Sequence, residues 1–382
     1  MANCTSCGRE LPSFSLGPFS TLCRDCQALQ NPAPAIPSST LSEKQPRKIS
    51  LTHILVGVNV AVFLVMVSTG VSPISPTQAA LAKWGADWGP LSLGSQPWRI
   101  LTSNYLHIGI IHIGFNMWCL LSLGALAERV FDRWTYLLIY TATGIAGSLA
   151  SLAWHPDVVG AGASGAIFGL AGALVAALYL GKLPIPKQAV RATLKSLLMF
   201  AAYNLFLGLR SGVDNAAHIG GLASGLALGA FLSQHLMQPA EVRQQWRTYA
   251  LVLCIVSLGA STLYLRHQNK EITGITRPYD YLDQYEKALD AVQRNDYPAA
   301  VSGFQKVVEL NPKSPQSRFL LGAAYEGADK PDDAISQYQE ALRLDPKFAD
   351  AELGLAEAYT AKGMEREAKE ASRKAAELKG GR

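Results

Sequence analysis

Charge in this chain is concentrated toward its ends, and that segregation limits what the chain can fold into. Residues 51–266 hold 18 Asp, Glu, Lys and Arg in 216 positions, whereas residues 279–382 hold 34 in 104. A soluble domain carries charge at roughly 25% of its residues, and the first of these blocks falls far short of that. Within it lie apolar runs near the roughly 20 residues that a helix needs to cross about 30 Å of hydrocarbon. Seven stand out, over 51–69, 106–127, 134–154, 164–181, 193–210, 216–236 and 248–265. The fourth and fifth are short and rich in Gly or polar residues, so both are expected inside a bundle. The pattern argues against a single cytosolic enzyme domain. The net charge of +5 is composite: the last 104 residues contribute −4 and the rest +9, mostly in short connections between apolar runs. Such placement suits membrane orientation rather than nucleic-acid binding.

Residues 1–50 are polar and lack an apolar core with a cleavage site, so the first run is expected to act as the insertion signal. Cytoplasmic segments of membrane proteins are enriched in Lys and Arg. With the N-terminus inside, the inner segments carry 11 such residues and the outer ones 6. This predicts a cytoplasmic N-terminus and, for seven spans, an extracytoplasmic C-terminus. The seventh span decides where the tail lies.

Polar groups inside such a block mark function by default. The second run contains His107, His112 and Asn116; the fourth opens with Gly162-Ala163-Ser164-Gly165; the sixth opens with Ala217-His218-Ile219-Gly220-Gly221. Ser164 lies where a Gly-flanked loop enters a helix, whose N-terminal N–H groups favour developing negative charge. His218 is a base near neutral pH. Gly221, Gly225 and Gly229 share its helix face, and Gly165 and Gly169 offer a matching smooth patch for a close crossing. His112 and Asn116, four residues apart, share a face and can both donate to an oxyanion. No Asp is placed to orient His218, so the reading is a Ser-His dyad. His107, five residues from His112, falls on another face and reads as structural or interfacial.

Taken with Trp98-Arg99 and Glu128, these motifs in this order resemble the rhomboid family of intramembrane serine proteases over about residues 51–266. The resemblance implies Ser164 as nucleophile and His218 as general base. It also implies an oxyanion hole of His112, Asn116 and the Ser164 backbone N–H. Substrates would be transmembrane proteins, cleaved near the extracytoplasmic face where a helix unwinds. Trp98-Arg99 would lie in a membrane-embedded outer loop, with Trp84 and Trp88 of interfacial character. Two departures from the family are Asp132 in place of Gly, expected to matter little, and Phe168 in place of Tyr beside His218. The alternative function is a catalytically inactive rhomboid-like adaptor that binds client proteins. A zinc-type intramembrane protease is disfavoured because no H-E-x-x-H occurs. A carboxylate dyad is disfavoured because Asp157 and Asp214 fall in connections, and a transporter because no inverted repeat is evident.

Cys4-x2-Cys7 and Cys23-x2-Cys26 have the spacing of a zinc ribbon. Four thiolates suit tetrahedral zinc, and about 26 residues need a metal to supply folding free energy. The site is closed by four ligands, so its role is structural, and catalysis needs no cofactor. Residues 281–378 repeat every 34 positions: Ala300, Ala334 and Ala368; Phe304 and Tyr338; Leu310, Leu344 and Leu378; Pro312 and Pro346; Tyr325 and Tyr359. That period looks like three tetratricopeptide helix pairs, an array that docks a peptide or protein partner. On the predicted topology the repeats share a side with the Ser164 site and would select substrates by their outer domains.

The expected architecture is therefore an all-α polytopic membrane protein of the bacterial cell membrane. It comprises a zinc-ribbon-like domain (1–27), a Pro-rich linker (28–50), a rhomboid-like bundle of 6+1 spans (51–266), a linker (267–280) and an α-solenoid (281–382).

Overall fold

The computed structural model describes residues 6, 50–209, 213–270, 275 and 277–380. Cys4, Cys7, Cys23 and Cys26 lie outside the described residues. A helix occupies each of the seven apolar runs: α1 (Leu51–Ser68), α3 (Ile110–Val130), α4 (Arg133–Trp154), α5 (Ser164–Leu180), α6 (Lys187–Leu207), α7 (Asn215–Ser233) and α8 (Ala240–Gln268). A short helix α2 (Gln78–Trp84) lies in the connection between α1 and α3. Five of these, α1, α3, α4, α7 and α8, are long and apolar enough to cross a membrane.

The other two differ from one another. At 17 residues α5 is about 26 Å long, just short of a bilayer core. Thirteen of its residues are buried, so it forms the centre of the bundle. By contrast, α6 buries only Leu197 and Ala201 and packs chiefly on α5. It is peripheral, which corrects the expectation that the fifth run is interior. Its polar residues reflect exposure of that helix rather than a role in the core.

Polar side chains fix several ends. Ser50 caps α1 and donates to Glu128 at 2.8 Å, while the Thr52 N–H donates to the same carboxylate at 2.9 Å. One carboxylate at the end of α3 thus satisfies orphan donors at the start of α1. Asp132 accepts from the Trp134 and Thr135 N–H groups at the head of α4, and Arg247 of α8 donates to it at 2.9 Å. The departure from Gly at 132 therefore has a role here: it caps one span and ties on the seventh.

Six further helices follow: α9 (Pro278–Gln293), α10 (Tyr297–Leu310), α11 (Pro315–Gly327), α12 (Pro331–Leu344), α13 (Ala349–Ala361) and α14 (Glu365–Gly380). They pair in sequence as three hairpins with Ala300, Phe304, Ala334, Tyr338 and Ala368 buried. Each hairpin turns through one left-handed residue, and these are Asn295, Asp329 and Gly363, again 34 apart. Asn, Asp and Gly tolerate positive φ best, so the turn is written into the period as well.

Candidate active site

Ser164 is the first residue of α5, so its N–H has no carbonyl four residues back to bond. The preceding connection reaches it through Gly162, whose φ of +143° favours glycine. The Gly162 N–H is held by the Ser103 carbonyl at 3.0 Å. A Cβ on Gly162 would lie 3.0 Å from His112 Nε2 and 3.8 Å from Ser164 Oγ. The imidazole and the hydroxyl therefore border one small space that residue 162 leaves open.

The tautomer of His112 follows from its other nitrogen. The Ile108 N–H donates to His112 Nδ1 at 3.2 Å, so a neutral ring carries its proton on Nε2, beside Gly162. One turn on, the buried Asn116 donates to the His112 carbonyl at 3.0 Å, leaving its second amide hydrogen unused in that bond.

His218 lies one turn into α7. Its ring stacks on Phe168 of α5 with centroids 4.3 Å apart and planes 9° from parallel. Phe168 provides a flat apolar wall, as expected from the sequence. Asp214 caps α7 by accepting from the Ala217 N–H at 2.9 Å, and His218 Nδ1 is buried without a hydrogen-bond partner. Among the described residues, no hydrogen bond joins the imidazole to a carboxylate or to Ser164 Oγ.

What brings the two residues to one place is the crossing of α5 and α7. Hypothetical Cβ atoms on Gly221, Gly225 and Gly229 would collide with the backbone of Gly165, Gly169 and Ala173 respectively. The two backbones are in contact over three turns, with Ser164 beside the first contact and His218 one turn before it. The predicted smooth stripe is thus used along its length.

Two sequence readings change. His107 precedes α3 rather than lying on it, is fully buried, and meets the His112 ring edge-on at 5.3 Å. Helical spacing misled here because residues 106–109 are not helical. Trp88 is also buried rather than interfacial, and its indole donates to the Asp157 carbonyl at 3.0 Å. Arg99 is buried too, donating to the Ala82 and Ala86 carbonyls, while Trp98 is half exposed. Asp87 was missed by sequence reasoning altogether. It is paired through its backbone with Gly160, two residues before Gly162. Only the tertiary pairing reveals it.

The Rhomboid domain model matches residues 94–235, and two tetratricopeptide-repeat models match 285–329 and 325–377. The chain is 32% identical over 275 residues to Rhomboid protease AarA of Providencia stuartii, covering 64% of this chain and 93% of AarA. It is 31% identical over 307 residues to Rhomboid protease GluP of Bacillus subtilis (strain 168), covering 74% of this chain and 58% of GluP. With RHOMBOID-like protein 7 of Arabidopsis thaliana it shares 36% identity over 196 residues, 48% of this chain and 62% of the relative. The chain thus spans less than two thirds of the length of these last two. The match to nearly all of AarA, together with the domain match centred on the buried crossing, shows that the chain belongs to the rhomboid family.

Proposed function

We propose that this chain is an intramembrane serine endopeptidase that cleaves transmembrane segments of membrane proteins. The observation that carries the reading is the open space at Gly162, bordered by Ser164 Oγ and by the donor nitrogen of His112. A scissile carbonyl entering it would meet a nucleophile on one side and an oxyanion donor on the other. Ser164 Oγ attacks the carbonyl carbon as His218 takes its proton. His112, Asn116 and the Ser164 N–H stabilise the oxyanion. The C–N bond breaks as His218 returns the proton to the leaving amine. Water then attacks the acyl-enzyme by the same relay, releasing the carboxylic acid and the free hydroxyl. A preformed crossing and an unpaired helix N-terminus support this assignment. The substrate's own backbone must unwind to offer its carbonyl.

Around this centre we place the N-terminus in the cytoplasm of a bacterial cell and the repeats outside. Cys4, Cys7, Cys23 and Cys26 hold a structural zinc. The repeats dock a protein or peptide partner.

Cleavage of a reporter membrane helix by purified protein in liposomes tests the reading, with wild type beside Ser164→Ala. Cleavage lost with that one oxygen is expected. A wild type inert toward several helices with loosened ends would instead favour the adaptor.

A further inference from the structure

The first helix of the repeat array is built into the connection between α1 and α3. Tyr279 accepts from the buried Arg99 guanidinium at 2.6 Å, and that guanidinium lies 5.9 Å from the Tyr279 ring centre. Tyr281 stacks on Trp88 with ring centres 6.0 Å apart. Leu282 is buried in one apolar cluster with Leu81, Ala82, Trp88 and Leu91. Glu286 accepts from the Gln78 and Ala79 N–H groups at the head of α2. A carboxylate at a helix N-terminus satisfies orphan donors and matches the dipole.

The 34-residue period shows that these contacts are not generic to the repeats. Counterparts of Tyr279, Tyr281, Leu282 and Glu286 are Lys313, Pro315, Gln316 and Leu320 in the second repeat. In the third they are Lys347, Ala349, Asp350 and Gly354. All three repeats share the alanine and leucine at the 300 and 310 positions, but only the first has this set of two rings, a leucine and a carboxylate.

From the contacted connection a continuous path leads to the catalytic centre. Trp88 donates to Asp157, the Gly89 N–H to Pro156 at 2.8 Å, and Asp87 and Gly160 exchange backbone hydrogen bonds at 2.9 and 2.8 Å. Those partners all lie in the segment 155–163 that sets Gly162 beside His112 and leads into Ser164.

We propose that the first repeat is a clamp that positions the 155–163 segment, with Tyr279, Tyr281 and Glu286 as positioning residues for the active site. The second and third repeats alone remain for a partner. The catalytic part of this claim rests on the protease reading above. A clamp differs from a substrate-capture arm in one respect: it matters even for a substrate with no domain outside the membrane.

The test uses the full chain in detergent, comparing wild type with Tyr279→Phe, Tyr281→Ala, Tyr281→Phe and Glu286→Gln. Hydrogen exchange is followed in segments 78–91 and 155–163, and cleavage with a bare transmembrane peptide. Tyr281→Ala and Tyr279→Phe should speed exchange in both segments by about tenfold. On the bare peptide kcat should fall by a similar factor with KM little changed. Tyr281→Phe, which keeps the ring, should restore both. Exchange that rises only in 78–91, or kcat unchanged on the bare peptide, overturns the proposal. If wild type itself shows no Ser164-dependent cleavage, the protease reading fails, and exchange in 155–163 still decides whether the clamp exists.

Discussion

A methyl group at residue 162 would enter the space shared by Ser164 Oγ and the His112 imidazole, at a φ that disfavours any side chain. Gly162→Ala is therefore expected to cut turnover by at least about 100-fold, the scale of losing an oxyanion donor. Labelling of Ser164 by a fluorophosphonate would check whether the hydroxyl itself stays reactive. Asp87 offers a second prediction at this scale. It lies outside the spans, and burial raises its pKa to about 7, outweighing the lowering by a Ser92 hydrogen bond, while the Asp214 carboxylate adds a smaller upward push and the Arg99 charge a smaller downward one. The unfolded chain loses this proton near pH 4 while the folded chain keeps it to about 7, so stability falls across that interval as pH rises. Asp87→Asn mimics the protonated form and should remove the loss. Thermal unfolding in detergent at pH 5 and pH 8 should show the variant's advantage over wild type growing between the two pH values by on the order of 3 kcal/mol.

Between elements, the contact of α5 with α7 leaves no room for growth. Gly221→Ala puts a methyl group against the Gly165 backbone and must separate the helices that carry Ser164 and His218. A loss of about 2 kcal/mol or more is expected, on the scale of overpacking, together with loss of cleavage. Gly259→Ala is the control, since nothing lies within 4 Å of its Cβ position. Unchanged melting of Gly221→Ala would refute the tight crossing. Asp132 is a milder case. Its alanine variant removes an N-cap and the partner of Arg247, both partly exposed, so about 1–2 kcal/mol is expected. Arg247→Ala should reproduce only the smaller, ion-pair share of that loss.

For the whole molecule, the proposed topology has the N-terminus inside and, with seven spans, the repeats outside. A topology reporter fused after Arg382 should be active only outside the cell. The same reporter fused to a chain ending before Ala240, which lacks α8, should report the inside. Metal content is a separate test. About one zinc per chain is expected for a four-cysteine site, lost on Cys23→Ser without loss of Ser164-dependent cleavage, because the site is assigned no catalytic part.

Much of this molecule is legible along the chain because the physics that writes it is local or periodic. Apolar runs mark helices, since an unpaired backbone cannot sit in hydrocarbon. The 34-residue spacing marks stacked hairpins, since each must bury the same face. Ser164, His218, His112 and Asn116 stand out as candidates because polar groups in an apolar block are expensive. Sequence alone also foretold the Gly221–Gly225–Gly229 stripe, because close crossing needs small residues at a helical period. Other features depended on which surfaces meet, and no periodicity encodes that. The fifth apolar run, α6, proved peripheral because α5 and α7 fill the centre against each other. Trp88 is buried and Arg99 is hydrogen-bonded by Tyr279 because α9 returns to cover the connection that carries them, from about 180 residues away in sequence. The chain's pattern determined its helices and marked its candidate reactive groups. Tertiary packing decided which helix became the core, and which repeat was joined to the active-site connection.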